Sequence, residues 1–269
     1  MARKPDLDLA VGLAHAAGEV HDWYGLGRRD PGAIQLFVVR GEERVSRLLS
    51  RHAPAWGAGF AIPSARTIVV RVGAGDPYRI LRHELAHFAL HDSIRVRVPL
   101  WFDEGYAALA AGELDRLVAL RLNLSVARGA IPGFFELDRA LRSSEATAAA
   151  AYALAATAVQ HLAQRHPDRS LGPLLARLGA GEDFSAAVLA TTGFRLGHFE
   201  LEWQKVVRRR FGLFGWMMAG GMWVGIALLV VAAVWLRRRR DRPRRQALDQ
   251  GWVIEPEPEP RLDEAAPGP

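Results

Sequence analysis

The 269-residue chain contains no cysteine, which excludes disulfide bonds and thiolate metal sites. Any metal ion must therefore be bound by histidine, aspartate or glutamate. Half of the residues are hydrophobic, so the chain is able to bury a sizeable core. The first twenty residues also lack the continuous apolar core of a signal peptide. Either the true start of the protein lies upstream, which we expect, or the N-terminal domain faces the cytosol.

Acidic residues are almost absent from one stretch of the chain. Between residues 205 and 245 there are 11 Lys and Arg residues and a single acid, Asp241. The rest of the chain has 24 basic and 28 acidic residues, so the net charge of +6 comes from this stretch alone. Because these basic residues flank an apolar run, they indicate a membrane segment, and we expect no nucleic-acid partner.

The apolar run covers residues 213–236 and contains no charged side chain. At a rise of about 1.5 Å per residue it is long enough to cross a hydrocarbon layer of about 30 Å, which predicts one transmembrane helix. Seven arginines follow the run and four basic residues precede it, so the C-terminal tail is predicted to be cytoplasmic. Gly221 and Gly225 form a G-x-x-x-G pair through which two such helices could form an oligomer.

Hydrophobic periodicity predicts an α+β fold. A small mixed α/β subdomain at 1–92 is followed by a helical subdomain at 93–212, the membrane helix, and a disordered tail at 237–269. In the first subdomain we predict a helix at 7–24, strands at 34–40 and 67–72, and an extended segment at 57–65. The helices predicted after these strands are 77–91, 100–111, 113–127, 146–164, 170–178, 184–191 and 195–211.

The sequence HELAH at 83–87 carries the clearest chemical signal. Asp76 and Pro77 are typical of a helix start, and on a helix His83 and His87 project from one face, where both can bind one ion. Glu84 lies one residue round the helix and can reach a water on that ion without ligating it. Since zinc lowers the pKa of such a water, Glu84 is the predicted general base.

A third ligand is expected, because catalytic zinc usually takes three protein ligands. Glu104, in WFDEGYA at 101–107, is the candidate. Pro99 can begin a second helix and Gly112 can end it, while Gly105 leaves room for close helix–helix contact.

Two side chains near the histidine pair are candidates for other roles at this site. His91 lies one turn beyond His87, about 6 Å further along the helix axis, which is too far for the same ion. It is therefore interpreted as a cation near the helix end. Asp103 has two open interpretations: a carboxylate that orients a ligand imidazole, or an ordinary first-turn acid of its helix.

HELAH followed by WFDEG resembles the gluzincin metallopeptidases, and the wider layout resembles bacterial membrane-anchored proteins with a peptidase MA-like domain. The resemblance implies Zn²⁺ bound by His83, His87 and Glu104, with Glu84 as general base. It also implies that Tyr152 stabilises the oxyanion, with Tyr106 as a rival for that role. By analogy, residues 56–72 would offer an edge to which a peptide substrate adds as a strand.

These observations predict a zinc-dependent endopeptidase of the bacterial cell membrane, single-pass, with an extracytoplasmic catalytic domain and a protein or peptide substrate. The resemblance also disfavours an exopeptidase of the aminopeptidase N type, because those enzymes bind the free amine of the substrate through an acidic G-x-M-E-N segment, whereas GAGFAIP at 57–63 has no acid. Two alternatives stay open. One is a non-catalytic, zinc-stabilised scaffold that binds a partner at the membrane, and the other is an adaptor whose function lies in residues 246–269.

Overall fold

The computed structural model describes residues 4–40, 57–113, 131–211 and 222–250. The chain divides into two compact units, Met1–Trp216 and Met217–Pro269. The first unit is a mixed α/β structure in which helices predominate, and both predicted subdomains, 1–92 and 93–212, lie within it.

The N-terminal segment forms a shorter helix than predicted, followed by a hairpin. Helix α1 covers Lys4–Ala17, and strands β1 (His21–Trp23) and β2 (Gly27–Arg29) pair in antiparallel fashion. The prediction of a helix as far as residue 24 is therefore wrong beyond Ala17. Gly25 and Gly27 adopt φ values of 76° and 70°, a left-handed conformation that glycine adopts at little cost, and this allows the chain to turn between the two strands.

A three-stranded sheet lies beside these elements and contains both predicted strands and the predicted extended segment. Its strands are β3 (Gln35–Arg40), β4 (Gly59–Ile62) and β5 (Thr67–Val72), in the order β3-β5-β4. Central β5 is parallel to β3 and antiparallel to β4. Within the described residues, β4 is therefore an edge strand.

Helices make up the rest of the first unit. An additional helix precedes the long alanine-rich one, while the predicted helix at 113–127 lies outside the described residues from 114 onward. The helices are α2 (Pro77–Ser93), α3 (Leu100–Ala110), α4 (Phe134–Leu141), α5 (Glu145–Arg165), α6 (Gly172–Gly179), α7 (Phe184–Thr192) and α8 (Leu196–Phe211).

Helix α3 is fixed by contacts with α4 and α5. A Cβ atom on Gly105 would lie 2.5 Å from the carbonyl oxygen of Ala155, so the predicted close helix contact at Gly105 is confirmed, and α5 is its partner. On the α4 side, the ring of Trp101 stacks on Phe134 with centroids 4.0 Å apart. The backbone N–H of Trp101 also donates a hydrogen bond to Oδ1 of Asp138 at 2.7 Å, which satisfies a donor that the first turn of α3 would otherwise leave free.

The second unit contains helix α9 (Met222–Gln250). Among the described residues, no helix is long and apolar enough to cross a membrane. The predicted transmembrane helix at 213–236 is thus not supported: its first nine residues, Gly221 included, lie outside the described part, and arginines follow Leu236 in α9. The helix continues through 237–250, part of the predicted disordered tail, because arginine, alanine, leucine and glutamine all favour helix.

Candidate metal centre

The HELAH helix places its two histidines on one face. Helix α2 begins as predicted: Pro77 is its first residue, and the Asp76 carboxylate accepts a hydrogen bond from the Tyr78 N–H at 3.1 Å. One turn apart, the rings of His83 and His87 lie 5.1 Å from each other, and both side chains are almost buried. The pair faces α3.

Glu104 of α3 reaches both imidazoles. Its Oε2 atom lies 3.4 Å from Nε2 of His83 and 3.6 Å from Nε2 of His87. Two ligand atoms bound at about 2.0–2.1 Å to one tetrahedral zinc ion lie about 3.3–3.4 Å apart, so these distances fit a shared ion. Two imidazoles and one carboxylate are also a donor set that catalytic zinc takes. The structure thus brings together all three predicted ligands.

Asp103 contacts the second histidine of the motif. Its Oδ1 atom accepts a hydrogen bond from Nδ1 of His87 at 2.7 Å, which leaves Nε2 of His87 facing Glu104. Its Oδ2 atom accepts from Nε2 of His91 at 2.9 Å. A hydrogen bond to the second ring nitrogen fixes the tautomer and orientation of a ligand imidazole. Of the two interpretations of Asp103, this contact favours the orienting one.

His91 could belong to a second group of donors. His87, His91 and Asp103 also place one ligand atom each within 4.8 Å of one another. However, the side chain of His91 is 38% exposed, and both carboxylate oxygens of Asp103 already accept hydrogen bonds from imidazoles. The group built on Glu104 is more buried, and it takes the Nε2 atom of His87 while Asp103 accepts a hydrogen bond from Nδ1. His91 is accordingly a hydrogen-bond partner of Asp103.

Glu113 contacts the first histidine of the motif, a contact that the sequence did not predict. Its Oε1 atom lies 3.0 Å from Nδ1 of His83. The position follows from the end of α3, where Gly112 has a φ of 73° and the Glu113 N–H donates to the carbonyl of Ala108 at 3.0 Å. This is the Schellman arrangement, which turns the chain back over its own last turn. The predicted end of α3 at Gly112 thus also places a carboxylate on the metal centre.

The charges of the site stabilise one another. Burial alone would lower the pKa of His83, but hydrogen bonds to Glu104 and Glu113 raise it to about 10. His87 has a raised pKa for the same reason, through its hydrogen bonds to Asp103 and Glu104. Burial would raise the pKa of Glu104, yet hydrogen bonds to both imidazoles lower it to about 2. The carboxylates therefore favour positive charge between them, as a divalent metal requires.

Glu84 lies at the same centre but has a different environment. It is only 6% exposed, and burial raises the pKa of its carboxyl to about 7, opposed by the nearby charges of His83 and His87. A carboxylate whose pKa lies near neutrality both accepts and returns a proton readily. The position of Glu84 next to the ligand pair suits the predicted role of general base.

Tyr152 of α5 borders the site, whereas Tyr106 does not. The Tyr152 ring lies 6.1 Å from that of His83, edge to face. Burial, together with the charges of Glu104 and Glu84, raises the pKa of Tyr152 well above 10, so its hydroxyl stays a hydrogen-bond donor. Tyr106 is fully buried and its hydroxyl donates to the backbone carbonyl of Tyr24 at 3.2 Å. The rival role for Tyr106 is therefore excluded by its contacts.

Two cavities meet at this centre, with volumes of 460 Å³ and 820 Å³. The smaller one extends toward Arg71 and Glu113, and the larger one toward His91 and Arg142. Strand β4 borders both. The residues that line both cavities are Gly57, Gly59, His83, Glu84 and Tyr152.

Of three histidines on or next to α5 and α8, one is buried. His198 is exposed and His166 is partly exposed, as expected of ordinary surface histidines. His161, by contrast, is buried on α5 with its ring stacked on Phe199 at 5.4 Å. Among the described residues, neither ring nitrogen of His161 has a hydrogen-bond partner.

The fold and the site together define a class of proteins in which two histidines of one helix meet a carboxylate of the next helix at a cleft bordered by an edge strand. The sequence profile of the Peptidase MA superfamily matches residues 24–209, more than half of the chain, and the chain belongs to this superfamily. The matched region includes every residue of the candidate metal centre, and family membership identifies the domain as peptidase-like. Among curated proteins, none matches the chain.

Proposed function

We propose that the protein is a zinc-dependent metalloendopeptidase of the gluzincin type. The observation that carries this proposal is the convergence of His83, His87 and Glu104 at a spacing that fits one zinc ion, with the buried carboxyl of Glu84 beside them. When bound, zinc is a Lewis acid that polarises a peptide carbonyl and lowers the pKa of a water molecule from 15.7 to about 7.

The residues of the chain have separate tasks in this proposal. Glu84 takes a proton from the attacking water and later gives it to the leaving amine, which its near-neutral pKa supports. The hydroxyl of Tyr152 donates a hydrogen bond to the oxyanion that develops on the scissile carbonyl. Asp103 and Glu113 hold the two imidazoles in orientation through their Nδ1 atoms.

The substrate in this proposal is a peptide that extends along β4. An edge strand offers unpaired backbone groups to a peptide, and β4 borders the cavities on both sides of the ligand pair. Because the cleft continues past the centre in two directions, it accommodates chain on both sides of the scissile bond. This supports cleavage within a chain rather than at its end.

We further propose that residues 213–236 anchor the protein in a bacterial cell membrane, with the peptidase domain extracytoplasmic and the tail cytoplasmic. The described part of this segment supports an apolar partner, because its large side chains are exposed, Leu229 by 72% and Trp223 by 69%. Fractionation of cells before and after an alkaline wash tests the anchor. Release of the full chain by the wash would contradict it.

The metal and the chemistry are tested together on the full chain. Elemental analysis should find about one zinc per chain in the parent and in Glu84→Gln, and a clear loss in Glu104→Ala. Glu182→Ala, an acid at the end of α6, is the control that should retain zinc. Hydrolysis of a mixture of unfolded proteins should be lost in Glu84→Gln.

Three outcomes would contradict this function or its mechanism. A folded parent that binds no zinc rejects the metallopeptidase. A zinc-loaded parent that cleaves nothing rejects the catalytic function and leaves the zinc-stabilised scaffold. A Glu84→Gln variant as active as the parent rejects Glu84 as the general base.

A further inference from the structure

The larger cavity contains a cation for which the described side chains provide no ion-pair partner. Arg142, immediately after α4, lines the cavity of 820 Å³ together with the metal-centre residues, and it is exposed. Among the side chains that the structure describes, no carboxylate forms an ion pair with its guanidinium. Arginine is always charged at physiological pH, so a permanent positive charge lies on the wall of this cavity.

The acids of the same cavity are committed to other partners. Asp103 accepts hydrogen bonds from His87 and His91, and Glu104 lies between the two ligand imidazoles. The remaining acid, Glu84, is almost fully buried. None of the acids that line the described cavity therefore occupies Arg142, which faces any anion that enters from outside.

The other lining residues show what kind of molecule such an anion belongs to. Much of the wall is apolar, and one side of it is the edge strand β4. The apolar lining residues are Phe60, Ala61, Pro63, Leu100 and Leu141. An extended peptide paired with β4 would point alternate side chains to opposite faces, which brings some of them to the α4 end of the cavity.

We propose that Arg142 determines specificity by binding a carboxylate of the substrate in this cavity. The inference rests on the proposed function, since it takes the occupant to be a peptide. Guanidinium and carboxylate form two parallel hydrogen bonds, a pairing that a neutral amide or a lysine side chain of the substrate cannot reproduce. The carboxylate has two possible sources, an Asp or Glu side chain or the C-terminus of the peptide.

Binding to the full-length, zinc-loaded Glu84→Gln variant tests the inference without requiring turnover. One series of fluorescent peptides has an amidated C-terminus and carries Glu, Gln or Lys at each position in turn. A second series is neutral along its length and ends in a free carboxylate or an amide. A Glu at one position, or a free C-terminus, should strengthen binding about tenfold or more over the peptide with Gln at that position or with an amidated C-terminus. The series in which binding strengthens identifies the source of the carboxylate.

A second substitution in the same background assigns the effect to the guanidinium. Arg142→Gln should remove the preference for the carboxylate, while leaving the affinity for the neutral peptide within about twofold. Arg139→Gln is the matched control, because Arg139 lies in the last turn of α4, three residues before Arg142, with its guanidinium over the ring of Phe135, and does not line the cavity. It should keep the full preference.

Three outcomes would overturn the inference: equal affinity for acidic, neutral and basic peptides, a preference that survives Arg142→Gln, or no binding of any peptide. None of them depends on hydrolysis. A parent enzyme that cleaves unfolded proteins without any carboxylate preference leaves the proposed function intact and rejects only the role of Arg142.

Discussion

A Cβ atom on Gly59 would lie 2.5 Å from Oε1 of Glu84, so strand β4 and the carboxylate of the HELAH helix are in direct contact. The contact has a consequence for the chemistry. A peptide that pairs with β4 passes immediately beside Glu84, the group proposed to take the proton. At position 59 only glycine leaves room for the Glu84 carboxylate.

Gly59→Ala should therefore reduce turnover by about 10²-fold, because the added methyl group displaces the Glu84 carboxylate from its position. The zinc content should not change, since the atoms nearest to this methyl group belong to Glu84 and Ile80 rather than to a metal ligand. Peptide hydrolysis and elemental analysis of the same preparation measure both quantities. Gly197→Ala, where a Cβ atom meets nothing within 4 Å, is the control and should keep full activity.

Glu113→Gln should weaken zinc binding by about 10- to 100-fold, the usual cost of removing a carboxylate that orients a ligand imidazole. Its neutral amide can still occupy the same space beside His83, so the fold should be unaffected. Competition with a chromogenic chelator measures the affinity. A variant with parental affinity would show that the hydrogen bond between Glu113 and His83 does not support the metal.

The control for this prediction comes from the chain itself. Helix α6 ends in the same turn as α3: Gly181 has a φ of 91°, and the Glu182 N–H donates to the carbonyl of Arg177 at 3.1 Å. The Glu182 carboxylate accepts a hydrogen bond from the guanidinium of Arg177 and not from a histidine. Glu182→Gln makes the same change, glutamate to glutamine, in the same local conformation. It should leave zinc affinity at the parental value.

Tyr152→Phe should lower kcat by about 10²- to 10³-fold and change KM little, because the hydroxyl is proposed to donate only to the developing oxyanion. Steady-state kinetics on one quenched fluorescent peptide separate the two constants. Tyr106→Phe is the comparison: it loses the hydrogen bond to Tyr24 and should cost stability without reducing kcat. Equal kinetics for Tyr152→Phe and the parent would remove Tyr152 from the mechanism.

The sequence was sufficient for those parts of the site that depend on helical spacing. His83 and His87 follow from the motif and its N-cap, and Glu104 from a second helix of the right length. Glu113 could not be found in this way, because its contact with His83 depends on how far the turn at Gly112 brings the chain back toward α2. The local sequence specifies the turn at Gly112, but it does not specify which residue Glu113 then contacts.

The fold likewise has parts that local sequence predicts and parts that it does not. The strands rich in β-branched residues and most helices could be predicted, whereas the hairpin of β1 and β2 has strands of only three residues, too short for any periodicity. The burial of His161 was equally inaccessible, since its surroundings come from α8, nearly forty residues further along the chain.

His161 makes stability depend on pH. Burial lowers its pKa, the charge of Arg165 lowers it further, and Glu202 opposes both. In the unfolded chain the pKa returns to about 6.5, so below that pH the unfolded state binds a proton that the folded state resists. The contribution of His161 to stability is therefore present in full above about pH 6.5 and decreases as the pH falls toward its folded pKa.

His161→Phe should remove this component, because phenylalanine retains the stack on Phe199 and does not titrate. Urea unfolding of the metal-free full chain between pH 5 and pH 8 measures it, as the difference in slope between variant and parent. The variant should lose less stability than the parent on acidification, whatever its stability at pH 8. His198→Phe, at an exposed position on α8, should follow the parent curve. Parallel curves for His161→Phe and the parent would show that the buried imidazole is protonated as easily in the folded chain as in water.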